Sequence, residues 1–233
     1  MAGPLPPLAD SPRPLTVEPA SLDAAWALER PPLDLARLFG NDRPAELEIG
    51  TGKGRFLTGA AAARPEVNFL GIERSRKFFK RTADSVAAAR LTNVRLLCVE
   101  ASAVVRNFLP DACLAAVHVY YPDPWPKRKH AGRRIFQPEF PAQVARVLVP
   151  GGRLYFQTDV RSYAVVVREL LAAQTALQVI EDAEIPSDRT DADTAGTHWE
   201  NKSRRLGLSA YRIVAVRPQG AGSADPANPR TAS

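Results

Sequence analysis

The chain has 233 residues, 45% hydrophobic and 24% charged, which suits one soluble α/β domain with extensions. Its net charge of +6, from 31 basic and 25 acidic residues, favours an anionic partner. Three histidines without ligand spacing argue against a metal site, and no apolar run is long enough to span a membrane.

Residues 1–40 read as a proline-rich, largely flexible extension, with one short amphipathic turn around Trp26. No basic segment precedes an apolar one there, so no signal peptide is expected. The main domain is expected over 41–217, followed by a loose Gly/Pro/Ala/Ser tail over 218–233. Strands are predicted at Ala45–Ile49, Val67–Ile72, Val94–Val99, Ala115–Tyr121 and Arg153–Thr158, with two later ones near Leu177–Glu181 and Ala210–Val216. Helices are predicted at Arg55–Ala63, Ser75–Arg90, Pro138–Leu148 and Ser162–Gln174. This alternation indicates a doubly wound α/β fold, a mostly parallel seven-stranded sheet with helices on both faces. Pro150-Gly-Gly152 reads as a turn from helix into strand, and Ala183–Gly196 as an acid-rich surface loop. Cys98 and Cys113 lie in apolar surroundings and read as buried small hydrophobes in a reducing compartment, the cytoplasm.

The first strand runs into Glu46-Leu-Glu-Ile-Gly-Thr-Gly-Lys-Gly-Arg55. Gly50, Gly52 and Gly54 let the backbone turn tightly and approach a ligand closely. Glu48 would repel a pyrophosphate, and the third glycine comes one residue too early for the dinucleotide fingerprint, so an NAD-dependent oxidoreductase is disfavoured. A cationic ligand, carrying an amino group or a sulfonium, suits the acid instead. Glu73 ends the second strand, where a carboxylate can accept both hydroxyls of a ribose, and Glu100 follows the third. Three acids at three strand ends fit S-adenosylmethionine.

The fourth strand leads into Tyr120-Tyr-Pro-Asp-Pro-Trp-Pro-Lys-Arg-Lys-His-Ala-Gly-Arg-Arg134. Three prolines stiffen the exit from the sheet and present Asp123 and Trp125 at its carboxyl edge. An acid beside an aromatic suits a nucleobase, and the bases after it suit phosphates. Trp125 either stacks on that base or only packs the loop. Arg76, Lys77, Lys80 and Arg81 share one helix and read as surface charge.

With these motifs, and with Pro150-Gly-Gly152, Thr158-Asp159, Thr197-His-Trp-Glu200 and Arg204-Arg-Leu-Gly207 in the same order, the chain resembles the tRNA (guanine-N7)-methyltransferase family from about Ala45 to Val216. The resemblance implies a class I, Rossmann-like methyltransferase using S-adenosylmethionine to methylate N7 of a guanosine at position 46, in the tRNA variable loop. It puts the cofactor acids on Glu48, Glu73, Glu100 and Asp123, beside Gly50 and Gly52, with Asp123 also catalytic. It puts substrate contacts on Lys127, Asp159, Thr197, His198, Trp199 and Glu200. Glu100 stands where the family usually has Asp, and Gly132 where a lysine is common.

Guanine N7 has a lone pair and no proton, so the transfer needs alignment and no general base. Asp123 is the candidate for stabilising positive charge as it moves onto the purine. Glu200, then Asp159, are the candidates for accepting the guanine N1–H and 2-amino donors. Asp159 and Thr197 have a plainer alternative as helix caps. A methyltransferase acting on an exocyclic amine and a non-catalytic RNA-binding protein are the rival readings. The expected partner is tRNA, with no membrane and no metal, in a monomer or homodimer without a second kind of subunit.

Overall fold

The computed structural model describes residues 32–188 and 196–219. Seven strands form one sheet in the order β3-β2-β1-β4-β5-β7-β6. They are β1 (Ala45–Ile49), β2 (Asn68–Ile72), β3 (Val94–Leu97), β4 (Leu114–Tyr120), β5 (Leu148–Thr158), β6 (Gln178–Ile185) and β7 (Ala210–Val216). The first five are parallel; β7 runs antiparallel to both β5 and β6. Every residue of β1, β2 and β3 is buried, as parallel strands covered on both faces require.

Successive side chains point to opposite faces, and each face meets its own helices. Phe69 and Leu96 pack with Leu57 and Ala61 of α2 (Arg55–Ala63) and with Phe79, Ala83 and Val86 of α3 (Arg76–Ala88). Leu70, Val117 and Phe156 face the opposite layer. That layer holds α1 (Leu35–Phe39), α4 (Ala101–Asn107), α5 (Phe140–Val147) and α6 (Arg161–Ala172). An eight-residue polar helix, α7 (His198–Arg205), precedes β7.

Three expectations need correction, and two others fall outside the described residues. The domain boundary expected at residue 41 comes too late: Leu33, Leu38 and Phe39 are buried in the core, and Asp34 caps α1 by accepting from the Arg37 amide. The amphipathic turn expected around Trp26 and the tail from residue 220 onward lie outside the described residues. The expected acid-rich loop starts later than Ala183, because β6 continues to Ile185 with Arg212 ion-paired to Glu181; residues 189–195 of it lie outside the described residues. Strand β5 begins at Leu148, so Pro150-Gly-Gly152 lies inside it as an irregularity in the pairing with β4. Gly152 is required there, since a Cβ would stand 2.8 Å from the Val149 carbonyl oxygen.

The sheet turns its order at β1, which lies between β2 and β4, and opens a crevice at the carboxyl ends of these strands. Gly71 in β2 lets α2 and the glycine turn close on that crevice. A Cβ there would come within 2.7 Å of Leu96, 2.8 Å of Leu57 and 2.8 Å of Thr51. Gly71→Ala is expected to lower stability by about 1–3 kcal/mol through overpacking. Urea unfolding should show a lower midpoint with an unchanged slope.

Candidate active site

The glycine turn forms the crevice's first wall. Gly50, Gly52 and Gly54 have φ of 77°, 57° and 74°, a region that L side chains rarely adopt. Thr82 of α3 pins the turn: its hydroxyl donates to the Gly52 carbonyl at 3.1 Å. Glu73 is held from two sides, accepting from the Gly52 amide at 3.0 Å and the Ser75 amide at 2.7 Å. Glu48 lies below the turn, 3% exposed, and its Oε2 has no hydrogen-bond partner among the described residues. Burial, with the nearby Glu73 carboxylate adding to it, pushes the Glu48 carboxyl well above the ordinary glutamate range. A buried carboxylate oxygen without a partner is costly, and a bound cation removes the cost.

Beside Glu48, a separate polar chain holds the sheet together. Arg64 donates both guanidinium arms to Glu46 at 2.6 and 2.9 Å, and His118 Nε2 lies 2.9 Å from the same carboxylate. Burial pushes His118 below its usual value, against the opposing effect of Glu46, so it is neutral and donates Nε2–H to Glu46. Its Nδ1 then accepts from the Tyr120 hydroxyl at 3.0 Å. This histidine is a structural one.

Glu100 is already engaged as an acceptor. It is the N-cap of α4, with its oxygens accepting from the Ser102 amide, the Ser102 hydroxyl and the Ala103 amide. Burial works against the charged carboxylate, but these hydrogen bonds outweigh it and hold Glu100 below the ordinary range.

Asp123 is exposed at the carboxyl end of β4. Its loop is strained, with Tyr121 at φ 49° and Trp125 at φ 39°. Arg134 holds it by donating to the Pro124 carbonyl at 2.8 Å and the Trp125 carbonyl at 3.1 Å. Arg133 lies over the Trp125 ring at 4.9 Å, and His130 meets its edge. Trp125 is thus packed within its own loop and Arg134 is the brace, whereas Lys127, Lys129 and Arg133 are exposed. Lys127→Ala is expected to reduce the salt dependence of RNA binding, lowering the slope of log K against log salt by about one. Arg134→Ala should leave that slope alone and lower turnover, because it loosens the loop carrying Asp123. Filter binding across a salt series, with rates on the same preparations, checks both.

The opposite wall is α7. Thr197 caps it, accepting from the Glu200 amide at 3.0 Å. Asp159 is not a cap for α6; the Thr158 hydroxyl accepts from the Val160 amide, and Asp159 Oδ2 accepts from Trp199 Nε1 at 2.8 Å and the Ser203 hydroxyl at 3.1 Å. Glu200 is buried and meets Gln157 Nε2 at 3.4 Å. Trp199 is partly exposed with the Lys202 ammonium over its ring. His198 lies against the glycine turn, its Nε2 2.8 Å from Lys53 Nζ. Desolvation, then Lys53, pushes His198 below its usual value, consistent with a neutral ring accepting from the ammonium. Asn201 reaches Arg55 in the same way.

The structure therefore places Glu48, Gly50, Gly52, Glu73, Asp123 and Asp159 at or just after strand ends, and Thr197–Glu200 at the start of α7, to which Asp159 is hydrogen-bonded. It adds Tyr121, Gln157, Lys53, Arg55 and Asn201, none of which the sequence singled out. Gln157 had one visible signal, a polar residue between Phe156 and Thr158 in an apolar strand. Among the described residues no cluster of His, Cys, Asp and Glu is disposed to hold a metal, and no helix is long and apolar enough to cross a membrane. Cys98 and Cys113 are free thiols raised by burial, Cys113 to about 11, so neither is a ready nucleophile.

A family model described as "Putative methyltransferase" matches residues 42–213. The tRNA (guanine-N(7)-)-methyltransferase of Bordetella pertussis is 38% identical over 186 residues, covering 80% of this chain and 72% of that protein. The protein of the same name from Hydrogenovibrio crunogenus is 35% identical over 202 residues, covering 84% of each. The one from Rhodopirellula baltica is 35% identical, covering 76% of this chain and 67% of that protein. Among solved structures, the 16S rRNA methyltransferase KamB superposes with a TM-score of 0.60 at 15% identity, covering 79% of this chain and 92% of that one. An antibiotic-related methyltransferase gives 0.61 at 13% identity, covering 78% and 92%. At such identities these two speak to the fold alone.

Proposed function

The chain belongs to the tRNA (guanine-N7)-methyltransferase family, and we propose that its target is the guanosine at position 46, in the variable loop. It is an S-adenosylmethionine-dependent enzyme that methylates N7 of guanine in tRNA. The residues at the strand ends fit that cofactor. Glu48 offers an unpartnered buried oxygen to a cationic group, and the left-handed glycines leave room for close approach. Glu73, fixed by two amides, is our candidate for the ribose hydroxyls. When bound, the cofactor supplies an electrophilic methyl group on a sulfonium.

The protein's part is binding and alignment. Asp123 stands between the two walls and is our catalytic candidate, stabilising positive charge as it builds on the purine. Glu200 accepts from the guanine N1–H and 2-amino group; Asp159, with one oxygen already engaged by Trp199 and Ser203, supports the wall. Glu100 serves the pocket indirectly, by capping α4. Lys127 meets a phosphate. Thr197, His198 and Trp199 hold Glu200 in place. We place the enzyme in the cytoplasm with its tRNA, acting as a monomer or homodimer.

The observation that carries this reading is the buried carboxylate of Glu48 beneath a glycine turn, with one oxygen lacking a hydrogen-bond partner among the described residues. Incubation with labelled S-adenosylmethionine and unmodified tRNA should give 7-methylguanosine and chain cleavage at position 46 after reduction and aniline treatment. Label on an exocyclic amine, or at another guanosine, would overturn the assignment of atom or of position respectively.

A further inference from the structure

Tyr121 is the last residue before the Pro122-Asp-Pro-Trp loop and sits at φ 49°, a strained conformation for a bulky residue. Its amide donates to the Gln157 carbonyl at 2.7 Å, which fixes the backbone. The hydroxyl then meets Gln157 Nε2 at 2.9 Å, and the same nitrogen lies 3.4 Å from Glu200 Oε1.

Hydrogen-bond chemistry determines who donates. The Glu200 carboxylate can only accept, so the Gln157 atom facing it is the amide nitrogen. That nitrogen has two hydrogens, one for Glu200 and one for the Tyr121 oxygen. The Tyr121 oxygen is therefore an acceptor towards Gln157. Its own proton is directed elsewhere and meets no acceptor among the described residues. Burial, then the Glu200 carboxylate, raises the phenol well above its ordinary value, so it keeps that proton. The amide also spaces the two oxygens side by side, on the order of 5 Å apart by hydrogen-bond geometry. A donor and an acceptor at that spacing span the two ends of a guanine Watson–Crick edge, O6 and the 2-amino group.

We infer that Tyr121, positioned by Gln157, donates its hydroxyl proton to O6 of the target guanine while Glu200 accepts from the Watson–Crick edge beside it. This rests on the assignment of Glu200 to guanine made above and adds the residue that reads the atom next to the methylated nitrogen. Adenine presents an amino donor where guanine presents O6, and a bare N1 lone pair towards Glu200. The pair thus disfavours adenine at both positions.

A double-mutant cycle between protein and substrate tests this. Single-turnover rates at saturating cofactor are measured for wild type and Tyr121→Phe, on tRNA carrying guanosine, 6-thioguanosine or inosine at the target position. Wild type should lose about tenfold on 6-thioguanosine, whose sulfur is a poor acceptor. Tyr121→Phe should lose about tenfold on guanosine and little more when the sulfur is also present. Inosine, which keeps O6 and lacks the 2-amino group, should slow both enzymes equally, and the KM for S-adenosylmethionine should not move. Losses that multiply, or a Tyr121→Phe enzyme as fast as wild type on guanosine, would overturn the inference and leave the guanine assignment standing. Wild type that forms no 7-methylguanosine on the guanosine substrate would remove both.

Discussion

Asp123→Ala is expected to reduce turnover on tRNA by about 10²–10³-fold, the loss seen when one preorganised charge-stabilising group is removed, with tRNA affinity nearly unchanged. The expectation follows from where the side chain stands. Asp123 projects from a proline-stiffened loop at the carboxyl end of β4, and Arg134 locks the two carbonyls that follow it. On our reading the loop brings this exposed carboxylate to the crevice, apart from the exposed bases Lys127 and Lys129 that would meet phosphate. During methyl transfer positive charge leaves the sulfonium and spreads over the purine. A fixed carboxylate beside the purine lowers the barrier because it needs no reorganisation at that moment. Asp123→Asn keeps the shape and should lose nearly as much, since the charge is what matters. Single-turnover rates and filter binding on the same variants separate the steps. A loss confined to tRNA binding, with the chemical rate intact, would remove Asp123 from its catalytic role.

Glu48→Gln is expected to weaken S-adenosylmethionine binding by about 100-fold or more, as loss of one partner from a buried charge pair does, while the unliganded protein becomes more stable at neutral pH. The second half is the unusual part. In the free protein Glu48 is buried, has an oxygen without a partner and stands near Glu73. Its folded pKa lies well above the ordinary 4.5, so the folded state binds the proton more tightly than the unfolded state. The stability linked to this group is therefore fully present below about 4.5 and is lost as pH rises through the raised folded value. Glutamine has no such dependence. Thermal melts of both proteins across this range should diverge as pH rises, with the variant ahead, and added S-adenosylmethionine should stabilise wild type far more. Equal affinity for S-adenosylmethionine in the two proteins would show that Glu48 does not meet the cationic group.

Much of the molecule was legible before folding. Alternation of strand-like and helical stretches located all seven strands, because each carries Val, Ile, Leu, Phe or Tyr on the side that packs and lies between turn or helix signals, even where Glu46, Glu48 or Arg95 interrupts the apolar residues. The glycine spacing and Glu48 pointed to a cationic ligand, since like charge excludes pyrophosphate. The elements missed share a cause. Helix α4 is seven residues long, too short for a period to register, and α7 is His-Trp-Glu-Asn-Lys-Ser-Arg-Arg, with no apolar stripe to reveal it. Helix α1 follows the proline-rich segment and is recognisable only by the burial of Leu38 and Phe39.

Residue types and their order along the chain determined the sheet, the acid at the glycine turn, the rigid Asp-Pro-Trp-Pro loop and, through the motifs, the family. Those properties are local: periodicity, fixed φ and charge act within a few residues. Only the tertiary structure decided what each polar group is free to do, because a hydrogen bond already made removes a group from the site. Glu100 became a helix cap, Arg134 a brace and Trp125 a packed ring, while Glu48 was left with an open oxygen. Gln157 and Glu200 are 43 residues apart, yet their contact sets which way the Tyr121 proton can point.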